Sequence, residues 1–149
     1  MAKAKTISGT KIIVQVGDGA SPEVFAAPCG LTTRGFNRTA NTNDVVVPDC
    51  TDEDAMAWVE NDVVSLQAGV TGSGVLDTDA LDVWDDWFQS GELRNCRIVV
   101  DVPLAQNGRH YAGAFRLTNF NMTGERGSKA QVEVTLASSG PVSKVDAQA

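Results

Sequence analysis

Along most of the chain, apolar residues return at every second position. Ile12, Val14 and Val16 share one face of residues 11–16. Val64, Leu66, Ala68 and Val70 alternate with Ser65, Gln67 and Gly69 across residues 62–70. Cys96, Ile98, Val100 and Val102 oppose Arg97 and Asp101, and Ala130, Val132, Val134 and Leu136 alternate with Gln131, Glu133 and Thr135. One apolar and one polar face at a period of two is the pattern of a half-buried β-strand. Two further strands are predicted at residues 23–27 and 31–38. The first follows Gly17, Asp18, Gly19 and Pro22, a turn-forming run that folds it back on residues 11–16 as a hairpin. A long strand is predicted over residues 109–123. In it Tyr111, Phe115 and Leu117 share one phase while Phe120 and Met122 take the other, and this slip near Thr118 and Asn119 predicts a bulge or a strand that changes neighbours. Glycines 124 and 127 then turn the chain into the strand at 129–137.

Only residues 77–90 carry a convincing helical period. Ala80, Leu81, Trp84, Trp87 and Phe88 form an apolar stripe, and Asp79, Asp82, Asp85 and Asp86 fall mainly on the other side. Leu81, Trp84, Trp87 and Phe88 are therefore expected to fasten the helix to the sheet, because each aromatic side chain buries a large apolar area. Asp77 or Thr78 suits the N-terminal cap, and Gly91 suits the left-handed residue that ends the helix. Residues 39–61 follow neither period. Their first part has loop composition, residues 45–48 read as a short extended edge, and residues 51–54 resemble a capping box before a short helix ending at Trp58. The expectation is a long excursion between two strands, of the kind that is usually functional. The whole is predicted to be a single domain over residues 1–149, mainly β. The order is β-rich with one well-marked helix inserted before the last three strands, a polar arm at residues 1–9 and a small, polar tail at 138–149.

Charge adds an asymmetry that the periodicity does not show. Residues 39–93 hold 13 of the 19 carboxylates and none of the 12 lysines and arginines. A protein with two unlike sides can associate head to tail into rings or filaments. A solvated acidic helix with acidic loops fits the same numbers. The net charge of −7 argues against a protein that grips phosphate backbones, which takes clustered Lys and Arg. It does not exclude a surface that DNA must pass without sticking.

Candidate chemistry is sparse. Cys29, Cys50 and Cys96 are odd in number and widely spaced, a poor disulfide framework, and His110 is the single histidine, so a structural zinc site is not expected. Asp49, Asp52, Glu53 and Asp54 lack the alternation, the glycine and the terminal glutamate of an EF-hand. The glycine-rich run at 69–74 lacks the Lys-Ser/Thr of a phosphate loop, and no Gly-x-Ser-x-Gly elbow occurs. No stretch approaches the roughly 20 apolar residues of a membrane helix, and the start lacks the apolar core of a secretory signal. Neither a cofactor, a metal, a catalytic centre nor membrane insertion is expected.

The run DVVSLQAGVTGSGVLD at residues 62–77 and the Trp-rich helix after it resemble the tail tube (major tail) proteins of long-tailed phages and of phage-like gene transfer agents. The segment 49–58 before them, YAGAFRLTNFN at 111–121 and VEVTLASSG at 132–140 match that family in order and spacing. The resemblance implies a β-sandwich or barrel with a flanking helix, hexameric rings stacked into a tube, and strands of neighbouring subunits joined into a continuous inner barrel. It implies DNA passing through the lumen without specific binding, other tail proteins at the tip and terminator ends, and a place in a particle tail assembled in the bacterial cytoplasm. Within that picture Ser65, Gln67, Gln131, Glu133 and Thr135 are candidates to line the lumen. Lys3 and Lys5 are expected to approach Asp44, Asp49, Asp52, Glu53, Asp54, Glu60 or Asp62 of an adjacent subunit across a ring-to-ring contact, where screening over about 8–10 Å leaves only close pairs effective. The alternatives are the tube protein of a contractile tail or secretion machine, and a monomeric β-barrel ligand-binding module with a closed apolar pocket.

Overall fold

The computed structural model describes residues 2–18 and 23–147. Eight antiparallel strands and one α-helix follow one another in them: β1 (Ile12–Gly17), β2 (Phe25–Ala26), β3 (Leu31–Val47), β4 (Trp58–Val75), α1 (Thr78–Ser90), β5 (Leu93–Val100), β6 (Arg109–Thr123), β7 (Gln131–Ser138) and β8 (Ser143–Asp146). Neighbours in the sheet run β2-β1-β5-β6-β7-β4-β3, with β8 added to β6. The apolar phase of each strand explains the arrangement. Val14 and Val16 of β1, Cys96 and Ile98 of β5, Phe115 and Leu117 of β6, Val132, Val134 and Leu136 of β7, and Ala68 and Val70 of β4 all turn to one buried cluster. Phe36 of β3 lies 5.1 Å, ring to ring, from Tyr111 of β6. Two strands separate these residues along the sheet, so the sheet curls over its own core, as the sandwich-or-barrel expectation requires.

The predicted β1–β2 hairpin is present, with Val16 opposite Ala26; part of its turn, residues 19–22, lies outside the described residues. The phase slip in β6 is also present, as a register shift between Leu117 and Asn119. Ahead of the shift β6 pairs with β5 as far as Arg116 and, along its other edge, with β8 as far as Ala112 and then with β7 from Phe115; past the shift only β7 remains beside it. Thr118 sits in the shift and donates its hydroxyl to the Thr135 carbonyl at 3.1 Å. The bulge reading therefore holds, and the pairing with β5 ends just ahead of it, at Arg116.

Helix α1 begins and ends as its sequence directs. The Asp77 carboxylate accepts from the Asp79 amide at 3.2 Å, and Gly91 takes φ 67° with its amide donating to the Trp87 carbonyl. Trp84 and Trp87 are buried and stacked at 6.0 Å, Trp84 meets Phe120 of β6 at 6.5 Å, and the Trp87 indole donates to the Glu92 carbonyl at 2.8 Å. The four-residue packing set needs one correction. Leu81 is half-buried and Phe88 is 46% exposed. At 100° per residue both lie to one side of the line through Ala80, Trp84 and Trp87, so they fall on the rim of the contact rather than beneath the helix.

Two other expectations change. Residues 39–61 are not an irregular excursion: most belong to the outer halves of β3 and β4, which pair continuously from Ala40 opposite Leu66 to Val47 opposite Trp58. Residues 51–54 make a bend and turn, and no helix precedes Trp58. The small, polar tail supplies β8, with Val145 opposite His110 and Lys144 opposite Tyr111; residues 148 and 149 lie outside the described residues.

Candidate functional site

Beyond the core, β3 and β4 run on as a two-stranded arm. About eight residue pairs at roughly 3.3 Å per residue carry it some 25 Å outward, before the turn at residues 48–57. Its register contains one irregularity. Asn41 stands opposite Ser65 but Thr42 stands opposite Val63, leaving Val64 as an unpaired bulge residue. Below the bulge the even-numbered residues of β4 face the core and the odd-numbered residues face away. Beyond it the phase inverts. Val63 with Thr42 and Val59 with Val46 therefore extend the side on which Leu66, Ala40 and Phe36 lie, with Asp44 opposite Asn61 between them.

Among the described residues no element covers this side of the arm. Leu66 is 77% exposed, and Val63, Val59 and Val46 are about 60% exposed. Nine of the 18 exposed large apolar side chains among the described residues belong to the arm and its turn, Met56 and Trp58 included. Scattered surface hydrophobics need no explanation, whereas a contiguous set marks a contact surface. A hairpin of two strands is at best marginally stable in water without a third strand or a packing partner. The outer edge of β3 is likewise open along its 17 residues, an unpaired row of backbone donors and acceptors.

The acidic candidates decorate this arm and its end. Asp44, Glu60 and Asp62 stand on its strands, opposite Asn61, Val45 and Asn43. Asp49, Asp52, Glu53 and Asp54 lie in the exposed turn. The Asp49 carboxylate accepts from the Thr51 amide at 2.9 Å and its hydroxyl at 2.8 Å; these bonds favour the charged form and lower the Asp49 pKa, the backbone bond most. Among the described residues no three His, Cys, Asp or Glu side chains come together in a way that would hold a metal. Lys3 and Lys5 are exposed in the segment ahead of β1, and among the described residues no ion pair joins them to the arm.

The five polar candidates come together on one surface. On β7, Gln131, Glu133 and Thr135 stand opposite Val75, Ser73 and Thr71 of β4; Ser65 and Gln67 continue the same face of β4 toward the arm. The register adds residues that periodicity alone did not single out: Thr33, Gly35, Asn37 and Thr39 on β3, and Asn119, Asn121 and Thr123 on β6. Their signal was present as small polar residues at alternate positions of 33–41, but without the pairing it had no partner strand to align with.

At the root of the arm a groove of about 680 Å³ opens between β3, β4 and the segment 138–142. Phe36, Ala40, Leu66 and Val142 line it, and the Arg38 guanidinium lies 4.7 Å from the Tyr111 ring and 5.6 Å from Phe36. It is open to solvent, unlike the closed pocket that a monomeric binding module would need. Cys29 and Cys50 are exposed, while Cys96 is fully buried and its thiol is pushed up to about 12 by burial.

Comparison with known proteins agrees with this architecture. The chain superposes on a subunit from the tail of an empty gene transfer agent particle, refined helically with C6 symmetry, with TM-score 0.78 and 20% identity over 94% of this chain and 99% of that one. A chain from the virion of a native gene transfer agent particle gives TM-score 0.75 and 22% identity, covering 94% and 99%. The SPP1 tail tube gives 0.70 and 12%, covering 95% of this chain and 80% of that one. A search of curated protein sequences found no match. A family model described as phage tail tube protein matches residues 6–144, nearly the whole length, and the chain therefore belongs to the phage tail tube protein family.

Proposed function

We propose that this chain is the repeating subunit of a phage-like tail tube, with copies closing into rings of six that stack into a conduit for DNA. The arm carries the reading. A 25 Å two-stranded projection, rich in exposed apolar side chains and with an open strand edge, has nothing among the described residues to bury against, and a second copy supplies both an apolar partner and a strand partner. The C6 symmetry of the gene transfer agent tail supports six as the ring number. A head-to-tail contact between unlike surfaces closes into a ring when its rotation closes and continues as a filament otherwise. The role is structural, without catalysis, and the particle tail assembled in the cytoplasm is its setting, with other tail proteins at the two ends of the tube.

In this reading the polar face of Ser65, Gln67, Gln131, Glu133 and Thr135 lines the lumen. Lys3 and Lys5 reach the acidic turn or strands of the arm in an adjacent subunit, a contact that salt weakens because both partners are exposed. Negative-stain microscopy of the purified chain, alone and with its tail-tip partners, is the direct test. Rings or tubes support the reading, and a chain that stays monomeric under both conditions at all concentrations overturns it. Charge reversal of both lysines should raise the concentration needed for tubes and flatten their salt dependence; unchanged assembly would remove the lysine contact alone.

A further inference from the structure

Resting on the tube reading, we infer that the groove at the root of the arm receives the turn of the arm, residues 48–57, from a second copy of this chain, with Arg38 taking the Glu53 or Asp54 carboxylate and Met56 filling the apolar lining. Phe36, Ala40, Leu66 and Val142 supply apolar walls, and the volume of about 680 Å³ is that of a ligand pocket rather than a surface dimple. The far wall is fixed in place. The Ser138 hydroxyl accepts from the Ala68 amide at 2.9 Å, and the Ser139 amide donates to the Ala114 carbonyl at 2.9 Å. Val142 packs where a side chain at Gly113 would stand. Arg38 lies against the Tyr111 and Phe36 rings, which hold the guanidinium but leave its charge unanswered: among the described residues no ion pair includes it.

The occupant has to bring a carboxylate and an apolar side chain together on something narrow, and the turn has both. Asp49 and Asp52 are engaged with Thr51 and the Asp54 amide, whereas the exposed Glu53 and Asp54 carboxylates accept no hydrogen bond among the described residues. Met56 is 94% exposed, the most open large apolar side chain among the described residues. Methionine adapts to irregular apolar surfaces and packs well against rings such as Phe36. The turn cannot reach the groove of its own subunit, because the paired strands from Ala40 to Val47 hold it some 25 Å away. Two other segments fit less well. Residues 2–8 carry Lys3 and Lys5, of the same sign as Arg38. Helix α1 sets Val83 and Phe88 among aspartates, but it lies against β6 and does not project. The groove also opens onto the side of the arm that bears Val63, Val59 and Val46, so a docked turn continues the subunit contact proposed there. Each copy offers a turn at one end and a groove at the other, and such unlike surfaces add copies end to end.

The test is a charge exchange. Arg38→Glu, the pair Glu53→Lys with Asp54→Lys, and all three changes combined are assembled across a concentration series, with sedimentation and negative-stain counts giving the onset of rings and tubes. Arg38→Glu and the turn variant should each raise the onset concentration by about tenfold or more, since each sets like charges together in the groove. The combined variant should return to within about threefold of the parent, because its charges are exchanged rather than lost. That recovery also separates this contact from one with Lys3 and Lys5, which Arg38→Glu leaves untouched. Benzoylphenylalanine in place of Met56, irradiated in assembled tubes, is the second measurement; its cross-links to other copies should map to residues 36–40 or 138–142. If Arg38→Glu lowers the melting temperature of the soluble subunit, the cross-link decides alone. Onset at the parent's concentration in both one-sided variants, a combined variant that does not recover, or cross-links confined to residues 2–8, to α1 or to the probe's own subunit overturns the inference. A parent chain that forms neither rings nor tubes is a separate result, which removes the tube reading and the inference with it.

Discussion

Replacing Leu66 and Val59 together by threonine separates assembly from folding. Both residues belong to the uncovered stripe of the arm, and they are 77% and 57% exposed in the single chain. Threonine keeps the strand preference of a β-branched residue while removing most of the apolar surface. Because little of either side chain is buried by its own subunit, the soluble variant should unfold within about 0.5 kcal/mol of the parent. On assembly the balance changes. Complete burial of a Leu or Val side chain is worth about 1.5–3 kcal/mol, so scaling by the exposed fractions leaves about 2–4 kcal/mol per subunit available only from a partner. At about 1.4 kcal/mol per factor of ten, the contact weakens roughly thirtyfold at the low end and several-hundredfold at the high end. Thermal unfolding of the soluble chain gives the first quantity. Sedimentation and negative-stain counts across a concentration series give the second, as a shift in the onset of rings and tubes. Assembly at the parent's concentration would show that the stripe is not a subunit contact. A melting temperature lowered by many degrees would show that the arm stabilises its own subunit instead.

Helix α1 offers a paired test: Trp87→Ala should cost about 3–5 kcal/mol in denaturant unfolding, whereas Phe88→Ala, on the open rim of the contact, should cost under about 1.5 kcal/mol. Gly91→Ala should cost about 1–2 kcal/mol from its φ of 67° alone, since an added Cβ meets nothing within 4 Å; the same unfolding assay reads it. Under native conditions a thiol reagent should label Cys29 and Cys50 in the soluble subunit but not Cys96, and all three should react in denaturant. The Cys96 thiol is raised from 9.0 to about 12, so it binds its proton more tightly folded than unfolded; its stabilising effect is complete below pH 9 and is lost as pH rises toward 12. Cys96→Ala should therefore show a shallower alkaline fall in the unfolding midpoint than the parent, and an identical slope would contradict this assignment.

How much of this was legible beforehand depended on whether a strand's partner lay in the same chain. The strands at 11–16, 95–102 and 129–137 show a clean period of two because one face meets the shared core and the other meets water. The slip at Thr118 was legible for the same reason: Phe115 and Leu117 had to reach the core on one side of it and Phe120 on the other. Helix α1 announced both ends through Asp77 and Gly91, but its stripe could not tell Trp84 from Phe88, because depth under the helix depends on where β6 runs. Residues 39–61 were misread because Val45, Val46 and Val47 are consecutive and residues 41–44 are polar, which is no strand pattern when judged against one core. The polar face was legible residue by residue, while its identity as one surface needed the register of four strands.

The bulge at Val64 makes the arm sensitive to parity. Side chains alternate strictly, so one residue gained or lost between Ser65 and the turn would exchange the two sides of β4 throughout the arm, moving Val63 and Val59 to the other side and bringing Asp62 and Glu60 into their place. A change of two residues lengthens or shortens the arm by one repeat and leaves its sides in place. Arm length in tubes built this way should therefore vary in even steps, and a chain with an odd step should carry a second bulge that restores the count.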